Sequence, residues 1–322
     1  MDVTPHLCDD VRAAAATVTQ SARLVSIDED ALAVFARTIP TDEAAHPTLA
    51  PGDLPTGDED ATIAWVLTVN AVNFGSGFFP VLRKRSGLSG SMTIFAGLRD
   101  RFDREGPLTV DELRAADAVT CARIFDQDPD GPAGELLAWF AAAWRELGEA
   151  LSERWDASFR ALIEDAAGSA EQLATRLATL PGWHDLSEHE GRPVPLYKRA
   201  QITPAHLAMA FAGAGPGRFD DLHRLTIFAD NLVPHVLRVD GVLRYDHALA
   251  QRIDREDLLA PGSAEEVEIR AVAVHAVERL GEHLRDDGHP ATSMGLDQLL
   301  WRRGGRPRYK AIPRHRTRTR AY

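Results

Sequence analysis

The stretch GELLAWFAAAWRELGEALSERWDASFRALIE, residues 134–164, decides the fold class. Its apolar residues Leu136, Leu137, Trp139, Phe140, Trp144, Leu147, Leu151, Trp155, Phe159 and Leu162 recur at spacings of three and four, which lays one continuous apolar face along a helix. Such a stripe reads as core rather than as a cofactor box. Residues 61–74 carry Ile63, Trp65, Val66, Leu67, Val69, Val72 and Phe74, too dense for a solvent-facing strand, and Asp58, Glu59 and Asp60 suit the positive N-terminal end of a buried helix. A third helix is predicted over 263–285, opened by the capping box Ser263-Ala264-Glu265-Glu266 and carrying Val267, Ile269, Val272, Val274, Val277 and Leu280. Strand material is confined to 193–197 and 236–243. No internal repeat with a period of roughly 20–50 residues is visible. Residues 1–322 are therefore expected to form a single compact all-α domain, of one lobe or two.

A chain of 322 residues, 44% hydrophobic and 26% charged, excludes disorder and collagen. No apolar run approaches the ~20 residues that cross a bilayer, and the first residues offer neither a basic nor an apolar leader segment, so no membrane association is expected and the localisation reads as cytoplasmic. Cys8 and Cys121 stand far apart, which removes a disulfide scaffold and a cysteine zinc site. His184 and His189, with Asp185, Glu188 and Glu190, have poor metal-ligand spacing in what reads as a polar loop, so no metal is expected. The net charge of −12 argues against a nucleic-acid polymer as partner. Nine of the 36 Lys and Arg nevertheless lie in residues 302–322, which contain no acid. That tail is a solvated end, an RNA contact or a dock for a small phosphate.

Residues 204–240 hold the glycine-rich turn Phe211-Ala212-Gly213-Ala214-Gly215-Pro216-Gly217, followed by Phe228-Ala229-Asp230. Glycines there either cap a helix C-terminus or let the backbone approach a phosphate. The segment resembles a helix-hairpin-helix. DNA glycosylases of that superfamily place a catalytic aspartate at a similar distance, followed by a polar residue and an apolar-Arg-Val stretch, as in Asp230-Asn231-Leu232-Val233-Pro234-His235-Val236-Leu237-Arg238-Val239. A fixed carboxylate suits N-glycosidic cleavage, since C1′ becomes oxocarbenium-like as the bond lengthens and the carboxylate stabilises or traps it. The structural alternative is that Asp230 caps the following helix.

Several motifs sharpen the resemblance. Leu196-Tyr197-Lys198-Arg199-Ala200-Gln201-Ile202, then Thr226-Ile227-Phe228-Ala229-Asp230 with Pro234 beyond, resembles the signature of the queuosine salvage protein family, the queuosine 5′-phosphate N-glycosylases. Ala64-Trp65-Val66 with Asn73-Phe74, the Glu-Val-Glu-Ile-Arg helix over 265–270, Leu296-Asp297-Gln298-Leu299-Leu300-Trp301 and the ending Lys310-Ala311-Ile312-Pro313-Arg314-His315-Arg316-Thr317-Arg318 follow in the family's order. The resemblance extends from about Trp65 to Tyr322.

What it implies is hydrolysis of queuosine 5′-monophosphate to queuine and ribose 5-phosphate in an all-α fold, without metal or cofactor. Asp230 is then the catalytic carboxylate. Asp297 accepts the paired N1–H and NH₂ donors of the 7-deazaguanine, and Trp301 supplies a flat wall for its ring. Lys198 holds Asp230 ionised or meets ribose or phosphate. Asn73, Phe228, His235, His315 and Arg316 fall at matched positions as substrate-binding candidates, Gln298 is a further candidate beside Asp297, and His46 resembles a histidine placed before the first matched helix. The hairpin amides at 213–217 and the basic tail are the candidates for holding the phosphate, with Arg302, Arg303, Arg306 and Arg308 read as solvated. The chain departs from the family at Gly75-Ser76-Gly77-Phe78-Phe79, at Met92, at Asn231-Leu232 and at Gln298, which leaves open a related deazapurine nucleotide as substrate. A DNA or RNA base glycosylase and a non-catalytic binder of a modified nucleotide are the other readings. Only Arg218 offsets Asp220 and Asp221 near the hairpin, which disfavours the polymer.

Overall fold

The computed structural model describes residues 6–49, 54, 57–289 and 291–322. Helices dominate, and the strands among the described residues form two small antiparallel pairs. These residues fall into two compact units.

The first unit comprises residues 6–47, 185–201 and 221–318. Its axis is the helix Ala264–Asp286, in which Val267, Ile269, Val272, Val274, Val277 and Leu280 have no exposed surface. A helix apolar on all sides belongs in an interior, and Leu7–Ser21, Glu29–Ala36, Leu232–Val239 and Ser293–Gly304 pack around it. Its first turns bury three charged residues, Glu266, Glu268 and Arg270. Glu268 Oε2 accepts the amides of Arg23, Leu24 and Val25 at 3.1, 2.7 and 3.1 Å, anchoring the strand Val25–Ile27, which pairs with Leu243–Tyr245. The expected capping box is half formed. Ser263 Oγ accepts from the Glu266 amide, but the Glu266 carboxylate answers at the Gly262 amide, 3.1 Å away, its other oxygen being held by Arg270 at 3.2 Å.

Strand expectations need two corrections. The stretch 236–243 is mostly the helix Leu232–Val239, because Val233, Val236 and Leu237 bury at helical spacing, and only Leu243 begins a strand. The other prediction lies in a hairpin of Leu186–His189 with Arg192–Pro195, whose turn residues Glu190 and Gly191 both take positive φ, 50° and 77°. His189 is accordingly not in a polar loop: it is buried, its Nε2 3.3 Å from Glu268 Oε1.

The second unit comprises 48–184, 202–220 and 319–322, so far as described. Phe140 sits at its centre, edge-on to Phe74 at 5.1 Å and to Phe125 at 5.3 Å, while Trp144 Nε1 donates to the Thr68 carbonyl at 3.0 Å. The stripe over 134–164 is not one helix. It runs Gly134–Arg154, breaks where Asp156 and Ala157 adopt φ of 48° and 56°, and resumes at Phe159–Asp165 with Ser158 capping the Ala161 amide. The apolar spacing survives the break, which is why periodicity alone hides it. The 61–74 helix is Glu59–Ala71, and the chain leaves it through Gly75 at φ 95°, where a Cβ would overlap the Leu136 side chain.

The glycine-rich turn is a helix cap. The helix Lys198–Ala210 closes with Gly213 N–H donating to Ala208 O at 2.8 Å, a six-to-one bond, while the amides of Ala214 and Gly217 fold onto Phe211 O and Ala214 O. The next α-helix begins only at Leu232. Between these two helices the amides of Gly213, Ala214 and Gly217 are engaged within their own turn. Among the described residues no helix is long and apolar enough to cross a membrane, and no group of three or more His, Cys, Asp or Glu could hold a metal.

Candidate active site

Residues 226–230 run extended without joining a sheet, so side chains must satisfy their backbone. Gln201 Oε1 accepts the Thr226 amide at 3.0 Å while its Nε2 donates to Leu196 O at 2.9 Å. Asp297 Oδ1 accepts the Phe228 amide at 2.8 Å, and Arg270 Nε donates to Ala229 O at 2.9 Å. Asp230 then turns the chain into the Leu232–Val239 helix, its Oδ1 accepting the amides of Leu232 and Val233 at 2.7 and 3.2 Å. Capping and catalysis are therefore compatible in one residue. One oxygen is fixed at the positive end of a helix. Asp230 is half-buried, within reach of solvent.

A buried ion pair joins this segment to the Tyr-Lys-Arg motif. Asp185 takes Arg270 through both carboxylate oxygens, at 3.1 and 2.6 Å, and also accepts the Lys198 amide at 3.1 Å. Its own carbonyl accepts the amides of Leu196 and Tyr197, and Tyr197 is held at φ 50° as the chain turns into the helix. The Lys198 ammonium thus arrives buried, facing Asp230 and Asp297. Burial pulls it down to about 8 against the attraction of Asp230. Burial, with the like charge of Asp230, pushes Asp297 well above the usual carboxylate range, while the Phe228 amide and Lys198 pull the other way. Both influences shift Asp297 toward its neutral form, and donors reaching its oxygens would shift it back.

Gln298 is buried next to Asp297, and Trp301 stands half-buried one turn along the same helix, Ser293–Gly304. The short helix Thr41–Ala45, which ends at the exposed His46, lies against it so closely that a Cβ on Gly295 would overlap the Ala44 carbonyl. Asn73 belongs to the second unit, where its amide donates to Asn70 Oδ1 at 3.1 Å. The Phe228 ring is buried, and it is the Phe228 amide that meets Asp297.

The tail is strapped along the first unit. His235 Nε2 donates to Tyr309 O at 2.8 Å, Asn231 Nδ2 to His315 O at 3.1 Å, and the Leu259 amide to Arg316 O at 2.9 Å. His235 and His315 thereby serve as anchors. Burial holds the His315 ring at about 3, so it is neutral near pH 7 and is no cation for a phosphate. Arg316 closes on the carbonyl of Glu256 at 2.7 Å. Arg303 and Arg308, expected to be solvated, reach the enclosed Asp240 at 3.4 and 3.0 Å, because a carboxylate so enclosed requires partners. The sequence shows Asp185 only among residues with poor metal-ligand spacing and Arg270 only as the end of the matched 265–270 helix, and nothing in it pairs the two.

The model of the queuosine salvage protein family matches residues 54–322. The chain is 35% identical over 310 residues to a queuosine 5′-phosphate N-glycosylase/hydrolase of Sphaerobacter thermophilus, covering 94% of each chain. It is 29% identical over 284 residues to the protein of that name from Mus musculus, covering 82% of this chain and 83% of the relative. Against the Dictyostelium discoideum relative of the same name it is 36% identical over 176 residues, 54% of this chain and 55% of that one. The chain belongs to the queuosine salvage protein family.

Proposed function

We propose that this chain hydrolyses the N-glycosidic bond of queuosine 5′-phosphate, the compound for which its relatives are named, releasing queuine and ribose 5-phosphate. The observation that carries the reading is Asp230, one oxygen tied to two helix amides and the half-buried side chain in a cluster with Lys198 and Asp297. As the C1′–N bond breaks, its electron pair leaves with the base and C1′ gains positive charge. The free oxygen of Asp230 stabilises that cation or bonds to it, and water then supplies hydroxide to C1′ and, by way of solvent, the proton that the departed base nitrogen takes up. A 7-deaza base has carbon where purines are protonated at N7, so stabilisation of the cation carries more of the barrier. Asp297 takes the Watson–Crick donors of the base, Trp301 lies along its ring, and Gln298 borders the same pocket. The reading has the phosphate-bearing nucleotide as the small-molecule partner and the cytoplasm as the location.

Purified protein is expected to release free base, detected chromatographically, from queuosine 5′-phosphate and not from GMP. Release from neither, with tight binding retained, would leave a sequestering protein.

Lys198 gives this reading a pH signature. An unfolded lysine keeps its proton to about 10.4, whereas Lys198 in the fold keeps it only to about 8. Between these values the unfolded chain binds more protons, so stability rises with pH there, and below about 8 the buried charge is a constant cost. Activity that needs the ammonium runs the opposite way. The expected kcat/KM profile falls with an alkaline midpoint near 8, a limb absent from Lys198→Met. A wild-type profile that stays flat through that region removes Lys198 from the chemistry.

A further inference from the structure

Several of the tail's cations have carboxylates to meet. Arg303 and Arg308 share Asp240, Arg316 lies 3.6 Å from Glu256, and Arg320 lies 2.7 Å from Glu146. Arg314 differs. The carbonyl of the next residue, His315, accepts from Asn231 Nδ2 at 3.1 Å, which runs the Arg314 backbone beside the Asp230–Asn231 turn. The Arg314 side chain is half-buried and, among the described residues, makes no hydrogen bond and no ion pair. Burial pushes its pKa down, and the charge that pulls it back is Asp230. A guanidinium does not shed its proton, so an enclosed one without a contacting anion carries a desolvation cost that a bound anion removes.

We propose that Arg314 receives the 5′-phosphate of the substrate, its planar fork taking two phosphate oxygens while Asp230 serves C1′ one ribose ring away. The neighbouring groups are otherwise engaged. Arg270 is held by Asp185 and Glu266, Arg316 by Glu256, and the turn amides of Gly213 and Gly217 by their own turn. His315 is neutral near pH 7, and Arg306 and Lys310 stand exposed in water. The dianion of a phosphate monoester suits a bidentate guanidinium better than the point charge of an ammonium.

The inference rests on Asp230 acting at C1′ of a nucleoside 5′-phosphate, and the test separates the two. Base release is measured for wild type, Arg314→Ala, Arg314→Lys and Asp230→Asn on queuosine 5′-phosphate and on unphosphorylated queuosine. Arg314→Ala is expected to lose on the order of 10²-fold in kcat/KM on the phosphate ester and little on the nucleoside, with Arg314→Lys in between. Calorimetric binding of ribose 5-phosphate should weaken in parallel, a readout independent of turnover. Full preference for the phosphate ester in Arg314→Ala, or equal losses on both substrates, overturns the phosphate role while the Asp230 reading stands. A wild type that treats both substrates alike overturns the phosphate site and the substrate reading together, and an active Asp230→Asn removes the catalytic carboxylate.

Discussion

Asp230→Asn is expected to lower the rate of base release by on the order of 10³-fold or more while leaving thermal stability close to wild type. The two effects separate because the two oxygens do different work. Asparagine keeps an acceptor for the Leu232 and Val233 amides, so the helix cap survives, and caps are worth only about 1 kcal/mol in any case. The substitution removes the negative charge that faces C1′, and no other carboxylate stands ready to replace it: Asp297 already serves the Phe228 amide and is driven toward its neutral form. Single-turnover kinetics with a thermal melt on the same preparation checks both halves. A variant within about tenfold of wild type would show that the carboxylate only caps.

The second large effect belongs to a residue that touches no substrate. Asp185→Ala is expected to destabilise the fold by about 3 kcal/mol, because it takes the two-oxygen partner from an Arg270 guanidinium of which 1% is exposed and leaves it Glu266 as its carboxylate. It also takes the acceptor from the Lys198 amide, so the protein that remains folded should turn over more slowly. Arg270→Met in the same chain should recover neither the stability, since the buried Glu266 then loses its guanidinium, nor the rate, since Ala229 O loses its donor. Denaturant titration of the single and double variants measures the first claim. A loss below about 1 kcal/mol for Asp185→Ala would mean that water or a rearranged side chain reaches Arg270.

The helical class was legible because apolar residues at three-and-four spacing survive any local detail. Helix ends were less so. The break after Arg154 needs positive φ at Asp156 and Ala157, neither a glycine, and nothing in the stripe marks it. Asp230 could be found from spacing and motif, but the choice between capping and catalysis was posed as exclusive when two oxygens allow both. The Asp185–Arg270 pair escaped because its partners lie 85 residues apart and each looks like an ordinary surface charge in the sequence. The motif favours Arg316, whose guanidinium closes on Glu256, whereas Arg314, two residues earlier and outside the motif, is the one that feels the charge of Asp230.

The double tether on Asp230 Oδ1 also bears on entropy. A free aspartate samples its terminal torsion broadly and must lose that freedom when it meets a developing cation. Here two amides of the following helix fix the plane of the carboxylate as the chain folds, so the working oxygen is oriented before any ligand enters. The ordering is settled once, at folding, and does not recur in the barrier of each turnover.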